Sequence, residues 1–189
     1  MLPVDAQRIK PRAEELLMGR LPATWANRLI TEREPYELYG ELFLAASTPG
    51  FQFPDTTFSN NVNKPFEIHR MIPRVYGADS SNVIVFDSGV NMPTESLMAA
   101  LVKLKITDIG LDYVMTKNPT RIDVMVKGSS ERTWEFADPH YLVTSNQIQV
   151  VCDVDAFPAG FTDLEIAKLL IAITFQGFLL TVAPPGENR

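Results

Sequence analysis

The chain has 189 residues, 46% of them hydrophobic and 21% charged, a balance that builds one globular domain and excludes disorder over most of its length. Lys and Arg number 17 against 23 Asp and Glu, a net charge of −6. Long-range electrostatics therefore repel a phosphate backbone, and nucleic acid is excluded as the main partner.

Residues 1–50 hold helix-favouring runs at 12–18 and 36–44, broken by prolines, and are read as an N-terminal arm of short helices joined by turns. Leu16, Leu17, Leu21, Trp25 and Leu29 can form an apolar face, but they are too few to close a core alone. The arm must lean on something else. Residues 51–66 follow, rich in Pro and Asn and carrying Phe51, Phe53 and Phe58.

From residue 51 to 189 the pattern is that of a sheet domain, with alternate residues apolar. Strand candidates are 66–76 and 83–86, then a short helix or turn at 93–101. Val102, Leu104 and Ile106 alternate with polar residues, as do Ile122, Val124 and Val126, and Ile148, Val150 and Cys152. Further strands are expected at 111–115, 133–136 and 141–144. Turn-forming residues at 116–119, 128–130 and 145–146 predict that consecutive strands pair antiparallel. Thr162 and Glu165 have capping-box spacing, so 163–171 is open to a helical start. From Ile171 the chain reads as a strand, with Gly177 bending or bulging it to serve both halves of a sandwich. The apolar stretch 169–182 contains Gln176 and is too short to span a bilayer, so no membrane segment is expected. About eight strands without βαβ alternation predict a mainly β, antiparallel two-sheet sandwich, jelly-roll-like, behind the arm.

Chemistry-bearing residues are sparse. One cysteine, Cys152, and two histidines, His69 and His140, allow no intramolecular disulfide and no His/Cys zinc cluster; neither metal nor cofactor is expected. The start Met1-Leu2-Pro3-Val4-Asp5 has no basic-then-apolar signal, which predicts synthesis in a reducing cytosol and Cys152 as a core residue. Glu67 and His69 sit two apart on one strand face, enough for an acid/base pair, but a nucleophile or metal is missing beside them. Asp153 and Asp155 could offer two oxygens to calcium and read more simply as solvated strand residues. Neither pair makes an enzyme, and no catalytic residue is assigned. The aromatic residues of the arm and of 51–58 lack a core of their own, so Trp25, Tyr36, Tyr39, Phe43, Phe51, Phe53 and Phe58 are the expected interface residues.

The run Phe51-x-Phe53-Pro54-Asp55, the segment Asn61-Val62-Asn63-Lys64-Pro65-Phe66-Glu67-Ile68-His69-Arg70-Met71 and the closing Ile173-Thr174-Phe175-Gln176-Gly177-Phe178-Leu179-Leu180 resemble virion proteins of tailed bacteriophages, especially capsid decoration or cement proteins. The resemblance spans roughly residues 51–183. It implies a structural protein made in the host cytoplasm and carried on the outer capsid surface. Its partners would be the major capsid protein and itself, as dimer or trimer. A jelly-roll module of a phage tail, binding glycans through Trp134 with Glu135 or Tyr141 with His140, is the alternative expectation.

Overall fold

The structure, a computed structural model, describes residues 29–45, 56–81, 83–87, 102–126, 132–154 and 168–183. The fold is mainly β, and the described residues form ten strands in two antiparallel sheets. In the first sheet lie β1 (Ile30–Ala45), β3 (Phe66–Ala78), β4 (Ile84–Asp87), β8 (Trp134–Leu142) and β10 (Lys168–Val182); the order is β1-β10-β3-β4, with β8 also on β3. In the second lie β2 (Thr56–Ser59), β5 (Val102–Asp108), β6 (Tyr113–Val114), β7 (Thr120–Arg121) and β9 (Gln147–Val154), ordered β2-β9-β5-β6, with β7 also on β5.

The pairings are nested. β1 pairs with β10, β2 with β9, β3 with β8, and β5 with β6 and β7. The chain thus runs out to a turn at 109–112 and returns along itself, and the contacts of β10 with β3 and of β9 with β5 zip this folded ribbon into sheets. Consecutive strands β8 and β9 therefore lie in different sheets, not side by side as the turn at 145–146 suggested. That crossing is anchored by buried Asn60, whose amide donates to the carbonyls of Lys64 and Leu142, while its backbone bonds to Ser145 and Asn146.

The core fills the space between the sheets. Phe66, Ile68, Met71 and Val75 of β3 and Ile171, Ile173 and Phe175 of β10 meet Val102, Leu104 and Ile106 of β5 and Ile148, Val150 and Cys152 of β9. Each fully buried side chain of this size contributes about 1.5–3 kcal/mol. β10 is buried on both faces over 169–173, where Leu170 and Ala172 are covered as well as Leu169, Ile171 and Ile173, while Thr174, Gln176 and Phe178 of its outer face are part-buried.

Four expectations are corrected. The run 36–44 is not helical but part of β1, because Tyr36, Leu38, Gly40 and Leu42 turn toward the core while Glu37, Tyr39 and Glu41 turn out, and pairing along β10 overrides the helical propensity of Glu and Leu. Residues 30–45 are thus a strand of the sheet; residues 1–28 of the arm lie outside the described residues. The segment 122–126 is not a strand but a single helical turn, α1 (Ile122–Met125), where Ile122 and Met125, three apart, are buried and Val124 is exposed. Of 111–115, only Tyr113–Val114 is strand, since Asp112 takes a left-handed turn conformation with φ 48°. The separate strands expected at 133–136 and 141–144 are one, β8. The helix expected at 93–101 and most of 163–171 lie outside the described residues, and the described part of the latter is already β10.

Gly177 sits where the register of β10 against β3 shifts, but Gln176 faces Arg70 and Gly177 faces Ile68, so the extra residue is His69 of β3. β10 runs unbroken against β1 and stays within one sheet, and the expected bulge at Gly177 is corrected to one on β3. A Cβ at Gly177 would lie 1.8 Å from the Glu67 carbonyl oxygen, a backbone clash that no rotamer relieves. Gly110 is different, because a Cβ there meets only the side chain of Asn146. Gly177→Ala is expected to lower unfolding stability by about 3 kcal/mol or more and Gly110→Ala by clearly less, read as the urea midpoint of each variant.

Candidate functional site

The outer face of the first sheet carries the densest polar arrangement among the described residues. Strand parity places Glu37 of β1, Gln176 of β10 and Arg70 of β3 in one row across three strands. Arg70 Nε donates to Gln176 Oε1 at 2.7 Å, and Gln176 Nε2 donates to the Glu37 carboxylate. Beside this row, where β3 carries the extra residue His69, lies a groove of about 470 Å³ lined by Pro35, Tyr36, Glu37, His69, Arg70, Gln176, Gly177 and Phe178. The His69 ring stands edge-on to Phe178, centroids 5.5 Å apart.

One end of the groove is fixed by Glu67. Its carboxylate is almost fully buried, accepts Arg33 Nε at 3.0 Å and the Tyr141 hydroxyl at 3.1 Å, and lies 3.4 Å from His69 Nε2. A carboxylate taken from water requires such partners. They come from β1, β3 and β8, and an apolar cluster of Ile30, Tyr141 and Leu180 shields them. The expected Glu67 and His69 pair thus exists, but both Glu67 oxygens are engaged by Arg33 and Tyr141. The arrangement holds an anion in place and leaves His69 facing the groove.

A second buried pair joins the sheets. His140 Nε2 of β8 lies 2.8 Å from Asp108 Oδ2 of β5, both fully buried, with the Tyr113 ring stacked on the imidazole at 6.0 Å. The other Asp108 oxygen accepts the Leu111 amide at 3.0 Å. Asp108 was not singled out from the sequence, although a signal was there: it follows Val102, Leu104 and Ile106 at the inward parity, where a carboxylate needs a partner.

The expected interface residues separate. Tyr39 is exposed at 58%, with its hydroxyl donating to Glu41, and its pKa is pushed up to about 12, first by that bond, then by burial and the Glu41 and Tyr76 charges. Tyr36 is half-buried, edge-to-face on Phe66 at 5.1 Å. Phe58 is a correction: β2 pairs Phe58 with Ile148, and the ring packs between the sheets against Phe175 at 5.2 Å, over the space that Gly40 leaves open. It is a core residue. Phe43 faces Leu170 in the register, but its side chain, with Trp25, Phe51 and Phe53, lies outside the described residues.

The remaining candidates are placed as follows. Asp153 stands opposite Lys103, and Asp155 lies outside the described residues. Among the described residues no group of three His, Cys, Asp or Glu could hold a metal ion, and no helix is long and apolar enough to cross a membrane. Tyr141 and His140 are interior and offer no exposed ring, whereas Trp134 is part-buried and edge-to-face on Phe136 at 4.7 Å. Cys152 is buried, and desolvation raises its pKa from 9.0 to about 12. No family model, curated protein or solved structure matches the chain.

Two outcomes follow. Asp108→Ala leaves His140 without its carboxylate inside the sandwich, a change expected to cost about 3–5 kcal/mol by chemical unfolding. Cys152 should resist a thiol reagent at pH 8 in the native protein and react fully in denaturant. Because the unfolded thiol ionises near 9.0 and the folded one near 12, unfolded chains release this proton first. Its contribution to stability is complete below pH 9 and declines as pH rises toward 12, which Cys152→Ala should abolish.

Proposed function

We propose that this protein is a structural virion component, a capsid decoration or cement protein that binds the assembled coat-protein shell from outside. In this reading the major capsid protein and further copies of the chain are its partners. The observation that carries the reading is the position of β1. Among the described residues it is the edge of the first sheet; it directly follows the leading segment in sequence and turns Glu37, Tyr39 and Glu41 to solvent. A rigid sandwich with an exposed edge strand next to a leader containing Trp25 is suited to bridging neighbouring subunits. Many weak copies of such a contact add by linkage to the stability of a shell.

The finer architecture belongs to the same proposal. The nested pairs β1 with β10, β2 with β9, β3 with β8 and β5 with β6 support a jelly roll, a form found in viral capsid and lectin domains. Fold alone does not choose between those uses. The lectin-like alternative, a tail module that binds glycans, is favoured by the groove, where Glu37, Arg70 and Gln176 offer planar polar groups beside Phe178; Trp134 with Glu135 remains its second locus.

β1 is integral to the sheet, so a truncation that tests the leader must stop before Leu29. Residues 29–189 are expected to keep the native thermal transition yet fail to co-sediment with purified shells that the full chain saturates. Full occupancy by the truncated chain would refute the proposal. Glycan-array binding that Gln176→Ala or Trp134→Ala abolishes would favour the tail module instead.

A further inference from the structure

β1 ends the first sheet: β10 pairs along one side of it, and among the described residues no strand pairs along the other. The strand is 16 residues long, and an edge of that length is a template for another strand. Pro35 lies within it, a residue that sheets accept where the missing N–H faces away from the ladder. Beyond Pro35, the outward side chains repeat with period two as Glu37, Tyr39 and Glu41, all exposed.

That pattern selects its occupant by charge. Two β1 edges laid antiparallel about Tyr39 would set Glu37 of one copy against Glu41 of the other, and like charges directly opposite destabilise a ladder. A cationic strand has no such conflict. The leading segment is the cationic part of this anionic chain, with Arg8, Lys10, Arg12, Arg20 and Arg28 against Asp5, Glu14 and Glu15. Residues 8–12 lie outside the described residues, but their spacing is plain: Arg8, Lys10 and Arg12 recur with the same period of two.

We propose that the leading segment of one copy adds antiparallel to the free edge of β1 in a neighbouring copy, with Arg8 against Glu41, Lys10 over Tyr39 and Arg12 against Glu37. Lys10 then meets an aromatic ring that attracts a cation. Pro11 falls opposite Leu38 at a position that donates nothing to the ladder, so its missing N–H is harmless. Each copy gives one leader and receives one, which closes into a dimer or a small ring.

The inference rests on the reading of the leader as a contact surface, and its test uses the purified full-length chain without shells. Failure here therefore leaves shell binding to be read separately by co-sedimentation. Three proteins are compared by sedimentation velocity in low salt: the natural chain, R8E/K10E/R12E and E37K/E41K. The natural chain should associate as concentration rises, and each variant should associate roughly tenfold more weakly or worse, with salt weakening the natural chain too. An equimolar mixture of the two variants should recover association, because each leader then meets an edge of opposite charge. Glu41→Lys alone, which leaves the Gln176 to Glu37 bond intact, controls for damage to the outer face. A natural chain that stays monomeric at every concentration overturns the proposal, as does association that survives both reversals or a mixture no better than its components.

Discussion

β10 is hydrogen-bonded along both edges and, over 169–173, buried on both faces, and the rest of the sandwich is arranged around that condition. Strand β1 pairs with it from Ile30 opposite Val182 to Ala45 opposite Lys168, while β3 pairs from Lys168 opposite Ala78 to Leu179 opposite Phe66. A strand in this position has no water to solvate its backbone, so every peptide group depends on a neighbouring strand. The ladder with β3 breaks step at Gly177, where the Glu67 carbonyl leaves no room for a Cβ. Only a residue without a side chain fits there. The groove on the outer face lies beside this step, where β3 carries the extra residue His69.

The buried polar groups hold what the apolar core leaves under-specified. Greasy contacts between two sheets are non-directional, and a sandwich slides more readily than it unfolds. Asp108 with His140 fixes one sheet against the other, and Asn60 fixes the crossing at 143–146. Glu67 does the same across β1, β3 and β8 by gathering Arg33 and Tyr141. A half-satisfied network would be worse than an apolar one, which explains why these anions have partners on several strands.

The outer face and the free edge divide the surface into two kinds of chemistry. The groove sets both signs of charge side by side and neutralises them in a row, Glu37 through Gln176 to Arg70. The edge strand shows Glu37, Tyr39 and Glu41 to solvent at a period of two, Glu37 ending that row and Glu41 accepting the Tyr39 hydroxyl. In sequence, that strand directly follows a leading segment with Arg8, Lys10, Arg12, Arg20 and Arg28.

Strands β3, β5 and β9 and the final strand were legible in the sequence, because alternation of apolar and polar residues survives whatever the strand packs on. So was the core position of Cys152, at an inward parity between Ile148 and Val150. The Glu67 and His69 pair was legible as neighbours on one strand, but Arg33 and Tyr141 were not, since they arrive from strands 34 and 74 residues away along the chain. Residues 36–44 show the limit most clearly: Glu, Leu and Tyr favour a helix locally, and only the long partner strand β10 makes them β1. Phe58 likewise read as an unclaimed aromatic until β9 and Gly40 supplied its site. What the amino-acid order determined by itself was periodicity, and hence which residues face inward. Which strands meet, which sheet each joins and which edge stays free were decided by the tertiary structure, because hydrogen bonds between distant segments depend on partners that no local pattern encodes.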